Sequence, residues 1–219
     1  MQANRMWKTA VLILILCAAP VRALDVNEVV RKVQERYDTT HDFTAKVAQE
    51  TVIASLSKTE SSHGNIAFKK PGKLRLEITE GDPQTVVADG ATLWLYQPSE
   101  NQVLKAPFKA AFRSTTPISF LTGVGKIADD FEPKLDGEGE GVMFLLLTPR
   151  KGGGDVGKLR LTVARSNFEI QGAEIHDPLG NINRLRFSEI HPNSGIADSR
   201  FTFEVPDGVD VIEAPASEP

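Results

Sequence analysis

The sequence predicts a mainly β (α+β) fold, with one amphipathic helix near the start and about ten short strands after it. Three observations carry this. From Asp42 onward apolar residues recur at every second position, as in Phe43-Thr44-Ala45-Lys46-Val47 and Lys73-Leu74-Arg75-Leu76-Glu77-Ile78. Tight-turn signals separate those runs, at Gly81-Asp82-Pro83 and at Asp89-Gly90. Ahead of them, Val26, Val29, Val30, Val33 and Tyr37 repeat at helical spacing, with Arg31, Lys32, Glu35 and Arg36 on the other side.

The chain opens with Arg5 and Lys8, an apolar run over residues 9–19, and Val21-Arg22-Ala23. A charged start, an apolar centre and a small residue before a cut read as a secretory signal, removed after Ala23. A membrane-crossing helix needs about 20 apolar residues, so the run is too short to be one. Cys17, the only cysteine, lies within this leader. It could instead be a lipoprotein cysteine, but Leu14-Ile15-Leu16 puts no small residue before it. The mature chain is then free of cysteine, and a hydrophobic core must hold it together.

Loss of Arg5, Lys8 and Arg22 with the leader leaves 22 basic against 29 acidic residues, a net charge of −7. That balance argues against nucleic acid. The reading divides the chain into a signal over 1–23, one domain over 24–212, and a flexible tail over 213–219.

Asp25 is placed to cap the helix, which runs for about four turns. Strands then follow one another as hairpins: Ile66 and Phe68, Leu74 to Ile78, residues 85–88, and Thr92-Leu93-Trp94-Leu95-Tyr96. Two faces of that last run compete for the interior, Trp94 with Tyr96 and Leu93 with Leu95. Between Ala106 and Asp130 the alternation stops. There Thr115 or Thr116 can cap a short helix opened by Pro117 and ended by Gly123 or Gly125. Its apolar side, Ile118, Phe120 and Leu121, must lie against something, and the open side of a curved sheet is available. Strands resume over residues 142–148, 159–163, 168–176 and 181–189, and a last one is expected over 201–205. Such a sheet can close on its own side chains or stay open as an apolar cavity.

Catalytic signatures are missing. Gly152-Gly153-Gly154-Asp155-Val156-Gly157-Lys158 imitates a phosphate loop, but Leu159 stands where a Ser or Thr should hold magnesium, and a strand pattern follows instead of a helix. His41, His63, His176 and His191 have no second ligand at metal spacing. No G-x-S-x-G elbow occurs, and the carboxylates are scattered through turns and strand exteriors. A binding protein without cofactor or metal is expected, rather than an enzyme.

Several segments in order resemble one family, the periplasmic outer-membrane lipoprotein carrier LolA. They are His41-Asp42-Phe43-Thr44-Ala45-Lys46 after the first helix, residues 64–71 ending in Lys69-Lys70-Pro71, Val87-Ala88-Asp89-Gly90 with Leu93-Trp94-Leu95-Tyr96, and Asn101-Gln102-Val103. Thr116-Pro117 and the segment from Phe201-Thr202-Phe203 through Pro206-Asp207-Gly208-Val209-Asp210-Val211 continue the likeness. The match runs over nearly the whole mature chain.

The resemblance implies an incomplete antiparallel barrel, open on one side, with the N-terminal helix and short lid helices over an apolar cavity. It implies a monomeric periplasmic chaperone that takes acylated lipoproteins from an inner-membrane ABC release complex and delivers them to an outer-membrane acceptor. Acyl-chain contacts are expected from Phe68, Leu74, Leu76, Ile78, Val87, Leu93, Trp94, Ile118, Phe120 and Leu121. Lys70 stands where the family keeps a latch arginine that hydrogen-bonds to the lid. A membrane-anchored acceptor tethered through Cys17, or a periplasmic carrier of another hydrophobic ligand such as a glycolipid, are the alternatives.

Overall fold

The computed structural model describes residues 25–108, 126–150 and 157–213. Its first element is helix α1, Val26–Thr39. Asp25 caps it as expected, accepting from the Asn27 N–H at 3.1 Å. The exposed side carries the i,i+4 pairs Lys32–Glu28 and Arg31–Glu35, while Val29, Val30 and Val33 are buried. At the far end the hydroxyls of Thr39 and Thr40 both donate to the Arg36 carbonyl, taking up an orphan acceptor of the last turn.

Eleven strands and a short helix follow in chain order before a final strand. They are β1 (Asp42–Ile53), β2 (Lys58–Lys69), β3 (Lys73–Glu80), β4 (Gln84–Asp89), β5 (Thr92–Gln97) and β6 (Gln102–Pro107). After the four-residue helix α2 (Ile127–Asp130) come β7 (Phe131–Gly139), β8 (Val142–Pro149), β9 (Lys158–Ala164), β10 (Ile170–His176), β11 (Ile182–Pro192) and β12 (Asp210–Glu213). All belong to one sheet, in the order β12-β6-β5-β4-β3-β2-β1-β11-β10-β9-β8-β7. Two meanders are joined where β1 pairs with β11, Val47 opposite Phe187 and Gln49 opposite Leu185. The edges β12 and β7 do not pair, so the sheet stays open, as the family resemblance implies.

Interruptions in the ladder bend this sheet. Register shifts occur between Thr44 and Lys46, between His63 and Gly64, and between Ile170 and Gly172. An extra residue on one strand bends that strand and increases its twist. Gly64 has to be glycine: a Cβ there would lie 2.0 Å from the Glu77 carbonyl oxygen.

Directly opposed residues share a face, so the register sorts the side chains. The inner face carries two apolar clusters. Helix α1 lies over the β7–β10 half, where Val29, Val30 and Val33 meet Ile127, Phe131, Leu145, Leu161 and Ala173. The other half gathers Ala45, Val47, Ile66, Leu74, Ile78, Ala88, Phe108 and Phe187.

The outer face is crossed by the segment after β11. Asp42, the one buried charged residue among those described, anchors it: its carboxylate accepts from the N–H groups of Ser194, Gly195 and Ile196 at 2.6 to 3.3 Å. Asp198 then meets the ammonium groups of Lys69 and Lys73, each at 2.7 Å. Phe201 is buried, and Phe203 lies 6.1 Å from Trp94 and 6.2 Å from Tyr96, centroid to centroid.

Three differences from expectation have physical causes. Residues 201–205 form no strand; a 3₁₀ turn over Asp198–Phe201 leads into an extended strap outside the sheet. The strand lies further on, in β12, which runs parallel to β6 with Val211 opposite Val103. Strand β7 was hidden because Pro133, Gly137 and Gly139 mimic loop composition, and an edge strand can carry proline and glycine. Glu213, expected in the tail, instead ends β12 and pairs with Lys105 at 3.1 Å.

Candidate hydrophobic-ligand site

The inner face of β1–β5 provides the candidate site. Across the sheet, Phe68 lies opposite Leu74, Leu74 opposite Ala88, and Ala88 opposite Leu93. The next row runs from Ile66 to Leu76, Val86 and Leu95. Ile78, opposite Gly64, continues the surface. Five expected contacts, Phe68, Leu74, Leu76, Ile78 and Leu93, therefore share one face.

Val87 and Trp94 lie on the opposite face. Each opposes the other, and Val87 also opposes Arg75, whose guanidinium donates to the Thr202 carbonyl of the strap at 3.3 Å. This orders the competing faces of β5: Leu93 and Leu95 point inward, while the Trp94 and Tyr96 rings pack at a tilt beside Phe203. Trp94, expected among the acyl-chain contacts, here packs beside the strap instead. Ile118, Phe120 and Leu121 lie outside the described residues.

Residues that the sequence reading left out complete the surface. Phe43 sits 5.5 Å from Phe68, centroid to centroid, and Phe187 comes from β11 beside Val47. Both stood in visible alternating runs, but only the β1–β11 pairing brings them beside Phe68. Phe108, at the end of β6, packs into the same cluster.

Where α1 reaches this surface, a cleft of about 60 Å³ remains. Val33, Arg36, Tyr37 and Thr40 form one wall; Phe43, Phe68, Phe187, Ile190 and Pro192 form the other, and Phe168 to Ile170 close the end. The cleft spans the seam between the two apolar clusters. Two lining residues, Arg36 and Glu169, bond to each other at 3.0 Å.

Lys70 holds the end of α1. Its ammonium donates to the Tyr37 carbonyl at 2.6 Å and lies 3.8 Å from the centroid of the Tyr37 ring. Burial lowers the pKa of this amine, against the opposing charge of Asp38. Burial first, and Asp38 second, raise the Tyr37 phenol above its ordinary value. Among the described residues the Lys70 contact is thus with α1; the lid segment named in the sequence reading lies outside them.

One charged cluster elsewhere, on β10 and β11, is a structural network. Glu174 accepts from Arg184 at 2.8 Å and meets His176 at 2.6 Å, and Arg184 also bonds to Glu50. Burial would raise the Glu174 pKa, but the bonds from Arg184 and His176 outweigh it and the net shift is downward. Among the described residues no group of three His, Cys, Asp or Glu side chains is placed to hold a metal.

An open, curled sheet with an apolar inner face roofed in part by one helix defines a class: proteins that enclose a hydrophobic ligand. Comparison with known proteins narrows it. Residues 38–204 match the family model described as outer membrane lipoprotein carrier protein LolA, and the chain belongs to that family. An outer-membrane lipoprotein carrier protein of Dechloromonas aromatica is 33% identical over 182 residues, which is 80% of this chain and 86% of the relative. Another, of Leptothrix cholodnii, is 30% identical over 91% of this chain and 92% of its own. Among solved structures, an uncharacterized conserved protein from Thermus thermophilus matches with a TM-score of 0.55 and 14% identity, over 86% of this chain and 98% of that one. A LolA superfamily protein from Nitrosomonas europaea aligns with a TM-score of 0.44 and 18% identity, over 83% and 99%.

Proposed function

We infer that this protein is a periplasmic carrier that shields the acyl chains of lipoproteins on their way to the outer membrane. The observation that carries this reading is the continuous apolar inner face, Phe68, Leu74, Leu76, Ile78 and Leu93 with Phe43 and Phe187, over which the described residues place no second sheet. Three chains of about 14 methylenes, at about 0.8 kcal/mol each, cost on the order of 30 kcal/mol in water, so a soluble intermediate has to cover them. Membership in a family of carriers, with no catalytic constellation in the sequence, supports a carrier rather than a catalyst.

Loading requires movement. A cavity of about 150 Å³ takes a benzene ring, and the cleft of about 60 Å³ is smaller still, so the cleft, with the lid proposed over residues 115–125, must open before a chain enters. Ile118, Phe120 and Leu121 extend the proposed contact surface from that segment, and Lys70 restrains α1 in the closed state. Val87 and Trp94 are left out of the proposed contact set because they face the strap. The donor is an inner-membrane ABC release complex, and the recipient an outer-membrane acceptor. Many adaptable apolar contacts suit a carrier that must give its cargo up. The test is to isolate the protein from cells in which onward transfer is blocked and to analyse it by mass spectrometry. Peptides bearing diacylglyceryl-cysteine are expected, and their absence would refute the reading.

A further inference from the structure

Among the described residues only two buried side-chain polar atoms lack a hydrogen-bond partner, Arg36 Nε and Asn183 Oδ1. The first belongs to a residue that lines the α1 cleft. Leaving a buried donor unpaired costs about 1–3 kcal/mol, and more when it is charged. Arg36 is not idle otherwise: an Nη2 bond to Glu169 fixes the guanidinium in the cleft wall. Glu169 is in turn set by the adjoining turn, where its N–H donates to the Asn167 side chain and its carbonyl accepts from Ala164. The result is a positioned cation, with one donor withheld from water, beside walls made of Phe43, Phe68, Phe187 and Ile190.

An acyl chain offers what this arrangement lacks. Its methylenes suit the walls, and its carbonyl oxygen is an acceptor located where the chain meets the polar head. We propose that the α1 cleft receives a glyceryl-linked acyl chain end-on, and that Arg36 is a specificity residue whose Nε donates to the ester carbonyl. This rests on the carrier reading and deepens it: the apolar face supplies affinity for any chain, and Arg36 supplies preference for an acylated one. Asn183 Oδ1, an acceptor, cannot play the same part.

The test uses the mature protein, a fluorescent apolar probe bound to it, and displacement by two lipopeptides. One carries two O-palmitoyl chains on its glyceryl-cysteine; its twin carries O-hexadecyl ether chains of equal length and no ester carbonyl. The ester is expected to compete roughly tenfold more strongly, the worth of a hydrogen bond from a charged donor. Arg36→Met should erase that difference while binding of the ether twin persists. Glu169→Gln, which weakens the tether but keeps the Nε donor, should retain it, which a merely structural role for Arg36 would not. Equal binding of ester and ether by the unaltered protein overturns the Arg36 assignment and leaves the carrier reading standing. Displacement by neither lipopeptide overturns both. Palmitate competing more strongly than the ester would mark a carboxylate site and overturn the assignment to an ester.

Discussion

Replacing Lys70 by Met should loosen α1 without unfolding the sheet. The Lys70 ammonium makes a 2.6 Å bond to the Tyr37 carbonyl and sits 3.8 Å over the Tyr37 ring. A hydrogen bond from a charged donor contributes about 1.5–3 kcal/mol, a cation over a ring about 0.5–2 kcal/mol, and a cation at a helix C-terminus about 0.3–1 kcal/mol. All three draw on one ammonium and overlap, and Met keeps much of the apolar stem against the ring. A net loss of about 2 kcal/mol follows, which is roughly a 30-fold rise in the population with the end of α1 released. Amide hydrogen exchange reads this directly: amides in the second half of α1 should exchange about 30-fold faster, while those of β8 and β9 stay as they were. Lys70→Arg should restore much of the protection. Lys32→Met, which removes only an exposed i,i+4 pair with Glu28 and a cation 4.8 Å from the Phe168 ring, should change exchange far less. Unchanged protection of α1 in Lys70→Met would refute the restraint.

Other perturbations separate the two faces of the sheet. Leu76→Glu puts a charge on the partly buried inner face and should abolish lipopeptide binding, measured by probe displacement, whereas Trp94→Leu should leave binding within about twofold. Asp42→Ala strips three backbone N–H groups of their acceptor and should cost about 2–4 kcal/mol in urea unfolding, with protease cleavage newly appearing in the strap at residues 194–203. Gly64→Val would drive a side chain into the Glu77 carbonyl and should lower the melting temperature by more than 10 °C. Lys69 and Lys73, by hydrogen bonding, hold the Asp198 carboxyl at about 2 against an ordinary 3.8. The folded state therefore resists protonation that the unfolded chain accepts: this stabilisation is complete above the ordinary value and disappears as pH falls through about 2. The melting-temperature gap between the unaltered protein and Asp198→Asn should accordingly close between pH 5 and pH 2, and a constant gap would refute the assignment.

Local pattern carried the fold a long way. Alternation in Leu74-Arg75-Leu76-Glu77-Ile78 and the Asp89-Gly90 turn identify β3 to β5, because period-two burial is written in consecutive residues. Asp25 and the valines of α1 were equally plain. What stayed hidden depends on partners distant in sequence. Val87 and Trp94 look like inner-face residues until the strap is seen to cover them; alternation says that two residues lie on different faces but never which face is inside. Phe187 joins Phe43 and Phe68 only through the β1–β11 pairing, which sets Phe187 opposite Val47, far away in sequence. The family resemblance marks Lys70, before Pro71, as the expected latch, yet its bond to the Tyr37 carbonyl follows from where α1 ends, and no local motif encodes that. β12 escaped because four residues are too few for a periodic signal.

The parallel seating of β12 along β6 bears on how such a protein survives among its own copies. A molecule shaped to cover apolar chains is at risk of sticking to itself, and an uncovered sheet margin is the template for that. β12 closes one margin with four residues and puts Asp210 and Glu213 at its two ends, so the outermost backbone is short and acidic. At the other margin, β7 carries Glu132, Pro133, Lys134, Asp136 and Glu138 in nine residues. Proline and repeated charge make that strand a poor partner for a second copy. Both margins thus disfavour strand addition, while among the described residues the large apolar side chains left exposed, Leu56, Leu179, Val205, Val211 and Ile212, are dispersed over turns, strap and β12 instead of forming one broad patch.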